Sequence, residues 1–431
     1  MKKVLIISYY FPPIGGAGVQ RVLKFVKYLP KFNYNPIVLT PNSSLIRNHS
    51  YDHSLMEEIP KNTKIYTTFI FDLNWIFKIL YGLKLKKIVN FINGTLLFPD
   101  YQKQWIPFAK MKIKKILKRE KIDLVFITSP PHSIQILGKW IKEKFNLPVV
   151  SDYRDPFTFN YQEKSDNFFK KCFNYEKKLL NKCDMIIANT KGNRENYLEK
   201  FNISENKISV ITNGFDKKDF KNIKVEREQN NKIIFSHIGQ LYGDYNATPF
   251  LLALNKIKNK LNNVEFRFIG SVTPDDKKLI KKFELSNFIK LINYCSHKEA
   301  LQYSKESNFL LLILSNENWD YCIPGKTFEY INSGRKILAI VPQNGCCAEI
   351  IRNTKTGVVV SPNSIDKIAN VILEFIENHN KDDFNPDLEE IKKYERRKLT
   401  EKLASVFDKI TKKGYNNYGN NKKIERNNSF R

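Results

Sequence analysis

Short apolar runs rich in β-branched residues alternate with longer amphipathic stretches along nearly the whole 431-residue chain. In the first half, we predict strands at residues 4–8, 36–40, 123–129, 148–152, 185–189 and 208–212. The second half repeats the alternation, with strands predicted at 232–238, 265–269, 289–293, 309–314, 336–341 and 357–360. Strand–helix alternation is typical of parallel sheets with helices on both faces. The predicted fold class is therefore α/β, with two doubly wound domains.

A charged segment with few apolar residues separates the two alternating blocks and marks the predicted domain boundary. We predict an N-terminal domain at 1–213, a linker at 214–231 and a C-terminal domain at 232–385. Residues 386–411 are predicted to be helical after their opening proline. Residues 412–431 are basic and rich in Asn, Lys and Gly, so we predict a disordered tail there.

The charge balance raises the question of a polyanionic partner. Lys and Arg number 72 against 44 Asp and Glu, which gives a formal net charge of +28. The basic residues are spread along the chain and form no recognisable nucleic-acid motif, so we predict no nucleic-acid partner. A non-catalytic polyanion-binding protein stays open as an alternative.

Two further patterns bear on the cellular compartment. The chain has no run of about 18 apolar residues, so no membrane-spanning helix is predicted. Its six cysteines show neither Cys-x-x-Cys nor zinc spacing, which is typical of reduced thiols in a cytoplasmic protein. The histidines are scattered, and we predict no metal site.

An aromatic and basic insertion at 69–98 breaks the alternation. Its apolar residues fit one face of a helix: Leu73, Ile76, Phe77, Leu80 and Leu83. Four lysines are interspersed among its aromatic residues: Lys78, Lys84, Lys86 and Lys87. One interpretation is a helical insertion packed on the first domain. The other is an amphipathic surface that docks on an anionic membrane, peripherally on its cytoplasmic face.

A glycine loop containing Gly15, Gly16 and Gly18 follows the first predicted strand and precedes a helix. Glycines allow a ligand to approach the backbone closely, and the amides at a helix N-terminus suit a phosphate. The spacing is neither the dinucleotide pattern nor a P-loop, and a merely tight turn is the alternative. Apolar and basic residues take opposite faces of the helix: Val19, Val22, Leu23, Val26 and Leu29 against Arg21, Lys24 and Lys27.

Polar residues follow two neighbouring strands, where doubly wound sheets bind their ligands. His132 comes just after the strand at 123–129 and could contact a substrate, donate a proton, or simply begin a helix. Asp152, Arg154 and Asp155 lie at the end of the next strand. They could form an ion-pair network or bind substrate hydroxyls.

A fourth motif, at 320–334, follows the strand predicted at 309–314. Gly325 and Lys326 are expected to open a helix, where a lysine and free amides suit a diphosphate. Glu329 lies one turn later on the same face and can accept hydrogen bonds from a ribose diol. The alternative is a surface Lys–Glu pair.

Together these motifs resemble bacterial glycosyltransferases of the family 4 group over roughly residues 3–410. The resemblance rests on the glycine loop before Val19, the Asp-Tyr-Arg-Asp-Pro sequence at 152–156, and three further segments at 211–216, 236–239 and 324–330. It implies the GT-B fold, in which two Rossmann-like domains face each other across a cleft and a C-terminal helix returns toward the N-domain. It also implies a retaining transfer that needs no divalent metal and no cofactor.

The resemblance assigns roles to individual positions. It implies donor binding for these residues: Gly15, Gly16, Gly239, Gln240, Lys326 and Glu329. It implies catalytic roles for His132, Lys326 and Glu329. Glu329 matches the second glutamate of the family's paired motif, which holds the donor ribose. Arg154, Asp155, Asp320 and Tyr321 are the remaining cleft or acceptor candidates.

Two departures from the family pattern affect the donor site. The first glutamate of the pair falls on Tyr321, with Asp320 one place away, which puts recognition of the donor sugar in doubt. The usual Arg and Lys after Gly239 are absent, so phosphate charge would fall more heavily on Lys326. A metal-binding Asp-x-Asp pair does not occur in the chain.

The resemblance implies transfer of a sugar from a UDP- or GDP-sugar to a saccharide acceptor. The acceptor would be lipid-linked or a growing surface polysaccharide, as in capsule, O-antigen or lipopolysaccharide synthesis. Preorganised lysines and amides can stabilise the leaving diphosphate in place of a metal. An epimerase or hydrolase of nucleotide sugars on the same fold is the alternative enzyme.

Overall fold

The computed structural model describes residues 1–46, 49, 51–71, 74–161, 165–221, 223, 232–243, 245–381 and 383–427. The chain divides into two compact units. The first contains Met1–Asn189, Asn193–Thr212 and Leu399–Arg431, and the second contains Thr190–Gly192 and Asn213–Lys398.

Within the described residues, seven parallel strands form the sheet of the first unit, in the order β3-β2-β1-β4-β5-β6-β7. Their bounds are β1 Lys2–Ser8, β2 Tyr34–Pro41, β3 Lys64–Thr68, β4 Leu124–Ser129, β5 Val149–Tyr153, β6 Met185–Ala188 and β7 Ile208–Val210. Every residue of β4 and β5 is buried, as expected for central strands covered on both faces. Strand β3 was not predicted, because it is an edge strand whose residues are exposed or half-buried and carry no continuous apolar run.

Helices connect these strands and cover both faces of the sheet. They are α1 Ala17–Tyr28, α2 Asn74–Gly82, α3 Lys86–Phe91, α4 Ile106–Arg119, α5 Gln135–Phe145, α6 Asp166–Leu180 and α7 Lys191–Phe201. In β1, Val4 and Ile6 join one core cluster whereas Leu5 and Ile7 join another. The alternation places a separate apolar core on each face, as period-two side chains require.

The second unit repeats the arrangement with six parallel strands in its described part, in the order β10-β9-β8-β11-β12-β13. The strands are β8 Ile233–Ile238, β9 Val264–Ile269, β10 Ile289–Ile292, β11 Phe309–Ile313, β12 Lys336–Ile340 and β13 Gly357–Val360. The helices are α8 Thr248–Ile257, α9 Pro274–Lys282, α10 His297–Glu306, α11 Lys326–Asn332, α12 Cys346–Asn353, α13 Ile365–Glu377 and α14 Leu388–Lys392. Two doubly wound parallel sheets confirm the predicted α/β class.

The segment predicted as a linker at 214–231 is partly structured. Phe215 and Phe220 are buried in the core of the second unit, and a short 3₁₀ helix spans Lys217–Phe220. The sequence pattern did not predict the burial of these two aromatic residues, because most of their neighbours in sequence are charged. Residues 222 and 224–231 lie outside the described part of the chain.

The C-terminal segment differs from its prediction. The region predicted as one helix at 386–411 forms α14 and a longer helix, α15 Arg396–Asn427, whose residues from Leu399 onward belong to the first unit. Leu399, Leu403 and Phe407 pack into the same core cluster as Val4 and Ile6. The predicted disordered tail at 412–431 is helical as far as Asn427, because extending an anchored helix adds one hydrogen bond per residue. Residues 428–431 are outside the described part.

Helix α1 corrects a second expectation. Arg21 and Lys24, predicted on a face opposite the apolar one, are only 0% and 1% exposed. Arg21 pairs with Asp152 through Nη2–Oδ1 and Nε–Oδ2 contacts of 2.7 and 3.1 Å. It also donates to the carbonyl oxygens of Ile211 and Thr212. The ion pair therefore joins α1, β5 and the end of β7 in the interior of the first unit.

No helix in the described residues combines the length and the apolar character needed to cross a membrane. The predicted insertion at 69–98 contains α2 and α3, in which Phe77 and Val89 are buried. Leu73 lies outside the described residues, and Leu83 is 64% exposed instead of sharing the buried face.

Candidate functional site

Two glycine turns at the carboxyl ends of β8 and β9 contact each other. Gly239 and Gly270 have φ values of +122° and +123°, which favour glycine. A Cβ atom on Gly270 would lie 2.7 Å from the carbonyl oxygen of Gly239. A Cβ atom on Gly239 would lie 2.9 Å from Nζ of Lys326. The lysine amine therefore lies directly against the backbone of the first glycine turn.

Lys326 is the first residue of α11, as predicted. Its Nζ lies 2.8 Å from Nε2 of His237 and 5.7 Å from the ring centroid of Tyr245. Burial lowers the pKa of Lys326 to about 7, against the opposing effect of the Glu329 charge. The hydroxyl of Tyr330 accepts a hydrogen bond of 2.7 Å from the Ile238 amide and so ties α11 to the end of β8.

His237 has defined partners on both ring nitrogens. Nδ1 lies 3.0 Å from the carbonyl oxygen of Leu311, which can only accept, so Nδ1 carries the proton. Nε2 of the neutral ring is then an acceptor, and Lys326 is the donor. Burial, and secondarily the charge of Lys326, hold the pKa of His237 well below its usual range.

Glu329 pairs with His297, not with Lys326. Oε1 of Glu329 lies 2.9 Å from Nε2 of His297, and the side chains are 30% and 28% exposed. His297 is the first residue of α10, where Ser296 and Glu299 form a capping box that fixes the helix start. The predicted alternative, a surface Lys–Glu pair, is wrong because the two side chains have different partners.

The other residues predicted in the second unit are Asp320, Tyr321 and Gln240. Tyr321 is buried, whereas Asp320 is exposed and accepts a hydrogen bond of 2.7 Å from the Cys346 amide through its backbone oxygen. Gln240 is exposed directly after Gly239. Of the two positions, Asp320 therefore presents an exposed carboxylate, whereas the Tyr321 side chain is buried.

In the first unit, the glycine loop joins β1 to α1 as predicted. Gly16 has a φ of +110° and is exposed, and α1 begins at the next residue. Gly15 is half-buried. A Cβ atom on Gly18 would lie 2.6 Å from Nη1 of Arg154, so this glycine leaves room for the guanidinium.

Arg154 uses its guanidinium on the protein's own backbone. It donates from Nε to Ser129 O at 3.0 Å, from Nη2 to Pro130 O at 2.6 Å, and from Nη1 to Gly18 O. These bonds hold the loop after β4 against the start of α1. These three bonds engage Nε–H and one N–H on each terminal nitrogen, and the role of Arg154 toward acceptor hydroxyls stays a prediction. Asp155 next to it is exposed.

His132 begins a short 3₁₀ helix directly after β4. Its ring centroid lies 5.1 Å from that of Phe157 and 6.4 Å from that of Tyr153. Nδ1 is buried and has no hydrogen-bond partner in the described part of the chain. Burial, helped by the nearby Arg154 charge, lowers the pKa of His132 to about 3. The ring is therefore neutral near pH 7, which favours hydrogen bonding over the proton donation considered from sequence.

Sequence reasoning missed two histidines of the site. His237 was visible in the motif before Gly239, but nothing in the motif indicated that it contacts Lys326. His297 had no local signal, because its partner is 32 residues away on another helix.

Comparison with known proteins matches both units. Residues 14–219 match the family described as Glycosyltransferase Family 4, and residues 217–398 match Glycosyl transferases group 1. A curated relative from Campylobacter jejuni, N-acetylgalactosamine-N,N'-diacetylbacillosaminyl-diphospho-undecaprenol 4-alpha-N-acetylgalactosaminyltransferase, is 25% identical over 193 residues. The match covers 44% of this chain and spans about half the relative, 51% of its length.

Solved structures of similar fold cover nearly the whole chain. A glycosyltransferase from Rickettsia africae is 17% identical with a TM-score of 0.63, covering 95% of this chain and 98% of the other. HepE from Anabaena, solved in complex with UDP-glucose, is 14% identical with a TM-score of 0.64, covering 95% and 100%. At this identity the likeness supports the fold alone.

Proposed function

Because the chain belongs to the family 4 group of glycosyltransferases with the GT-B fold, we propose that it transfers a sugar from a UDP- or GDP-sugar with retention of anomeric configuration. The observation that carries the proposal is the convergence of Gly239, Lys326 and Glu329 at the carboxyl end of the second sheet. The two family matches favour transfer over the epimerase or hydrolase alternative.

Each residue of this group has a chemical task in the proposal. The amine of Lys326, in its charged form, neutralises negative charge that develops on the leaving diphosphate. Glu329 accepts hydrogen bonds from the ribose, and His297 orients its carboxylate. The lysine stands in for a divalent metal, and no cofactor is required.

We propose a lipid-linked or growing surface-polysaccharide acceptor, as in capsule, O-antigen or lipopolysaccharide synthesis, and a cytoplasmic location at a membrane. The Campylobacter jejuni relative is named for a diphospho-undecaprenol acceptor, which supports the class of acceptor.

The test is a screen of UDP, GDP and their sugars by thermal shift, since a ligand of the folded state raises the melting temperature. Purified protein with the selected donor and a lipid-linked saccharide is then followed by NMR of the product's anomeric proton. Retention of configuration, at a rate unchanged by EDTA, is the expected result. An inverted product would contradict the proposed retention of configuration. Activity that is lost with EDTA and restored by Mg²⁺ would contradict the proposed independence of metal.

The insertion supports the membrane part of the proposal. Exposed apolar side chains line α2, α3 and the turns beside them: Ile79 52%, Tyr81 47%, Leu83 64%, Phe91 66% and Leu96 66%. Lys78, Lys84 and Lys86 are exposed in the same stretch, and the sequence between Ile59 and Pro99 contains a single acidic residue, Asp72. Apolar side chains interspersed with lysines suit a surface of anionic lipid.

Replacing Leu83 and Phe91 by Gln should weaken binding to vesicles that contain phosphatidylglycerol by about tenfold or more, because each side chain loses roughly 1.5 kcal/mol of apolar burial. Vesicle co-sedimentation measures the effect. Leu388→Gln, at a position 63% exposed in the second unit, is the matched control and should bind as wild type does. Equal binding by the double variant would refute docking through this surface.

A further inference from the structure

The contact between Lys326 and His237 joins the first residue of α11 to β8 across 89 residues of sequence. We propose that His237 is the positioning residue of the donor-diphosphate site: it holds the Lys326 amine beside Gly239, ready to take up a proton as the diphosphate binds. The inference rests on the proposed function and adds a residue and a protonation step to it.

The geometry explains why a histidine suits this place. The Leu311 carbonyl requires a proton on Nδ1, so Nε2 is left as an acceptor aimed at Nζ, 2.8 Å away. One N–H of Lys326 is engaged in this way, which leaves its other N–H bonds available to phosphate oxygens. Gly239 lies against the same amine, because it lacks the Cβ atom that would lie 2.9 Å from Nζ. The lysine is therefore held in one orientation before any ligand arrives.

The surrounding groups explain the proton step. Burial disfavours the charge on Lys326, and the charged group that offsets this effect is Glu329, itself paired with His297. His237 is neutral, and the Tyr245 ring packs beside the amine without supplying a negative charge. A bound diphosphate brings at least two negative charges, which favour the ammonium form. One proton then passes from bulk solvent to Nζ as the nucleotide binds.

The experiment measures the dissociation constant of UDP by isothermal titration calorimetry, with GDP in parallel, for wild type and three single variants. Lys326→Met removes the amine, His237→Phe keeps a ring without polar atoms, and His237→Gln keeps an acceptor. We expect binding about tenfold weaker for His237→Phe, since it loses a buried hydrogen bond, and within about twofold of wild type for His237→Gln. Thermal melting confirms that each variant is folded.

The double variant Lys326→Met/His237→Phe separates positioning from a general packing effect. If His237 acts through Lys326, the second substitution adds nothing to the loss caused by Lys326→Met. Additive losses, or wild-type affinity for His237→Phe, overturn the inference while leaving the proposed function intact. Binding of neither nucleotide to wild type sinks the proposed function and, with it, this inference.

Proton uptake tests the protonation step separately from the positioning role of His237. Titrations at pH 8 in two buffers of different ionisation enthalpy give the number of protons taken up. Because the pKa of Lys326 in the free protein is about 7, wild type should take up nearly one proton per nucleotide at pH 8. Lys326→Met should take up none. Equal uptake by the two proteins overturns the protonation step.

Discussion

Replacing Lys326 by Met is expected to lower the rate of sugar transfer by at least a hundredfold. Removal of a single preorganised group that stabilises transition-state charge costs about 10²–10³ in rate. The Arg and Lys that usually follow this glycine in the family are absent after Gly239, so no second basic side chain there shares the stabilisation of the diphosphate. The measurement is release of nucleoside diphosphate and formation of product with the donor selected by the thermal-shift screen.

Glu329→Gln should act differently, on the Michaelis constant for the donor. A hydrogen bond to a charged group contributes about 1.5–3 kcal/mol, so its loss should raise the constant roughly 10- to 100-fold. Lys290→Met, on an exposed residue of β10, is the matched control and should leave both the transfer rate and the Michaelis constant unchanged.

Near-normal transfer by Lys326→Met would show that the diphosphate binds elsewhere.

Lys326 also predicts how donor binding depends on pH. The folded-state pKa of Lys326 is lowered to about 7, so the free amine is charged below that pH and loses its charge above it. Affinity for the nucleotide should therefore fall as pH rises from 7 to 9, and the fall should be absent in Lys326→Met. A wild-type affinity that rises over this interval would contradict the assigned role.

The two sheets were predictable because their central strands are continuous apolar runs bounded by helices, as in β4 and β11. The prediction of strands failed at the edge of the first sheet. The edge strand β3 carries Lys64 and Thr68 and has no apolar period, so the sequence pattern gave no signal for it. The burial of Phe215 and Phe220 was also not predicted. They pack into the core of the second unit, whereas their neighbours in sequence are charged.

Residue types of the site were predictable, but their partners were not. The order Gly325, Lys326, Glu329 indicated a phosphate and ribose site, and Lys326 indeed begins α11. Its contact with His237 depends on the packing of α11 against β8, which no local pattern encodes. Arg154 shows the same limit: its place at a strand end was predictable, but its hydrogen bonds to three backbone carbonyls were not.

The buried pair Arg21–Asp152 predicts the largest effect on stability. Arg21→Met should leave the Asp152 carboxylate buried with Thr128 as its remaining side-chain partner, and two backbone carbonyls without their donor. Removing one member of a buried ion pair costs about 3–5 kcal/mol. For a unit of this size, that corresponds to a fall of roughly 10 °C in melting temperature, measured by circular dichroism.

Burial, not distance, should set the size of this effect. Lys142 and Asp184 also lie 2.7 Å apart, but each is 29% exposed, so Lys142→Met should cost only about 0–1 kcal/mol. The double variant Arg21→Met/Asp152→Leu removes both charges and should recover much of the stability lost in Arg21→Met, because no uncompensated charge remains in the core. Equal melting temperatures for Arg21→Met and Lys142→Met would mean that the interior pair contributes no more than a surface one, and the packing of α1 on β5 would then have to rest on its apolar contacts alone.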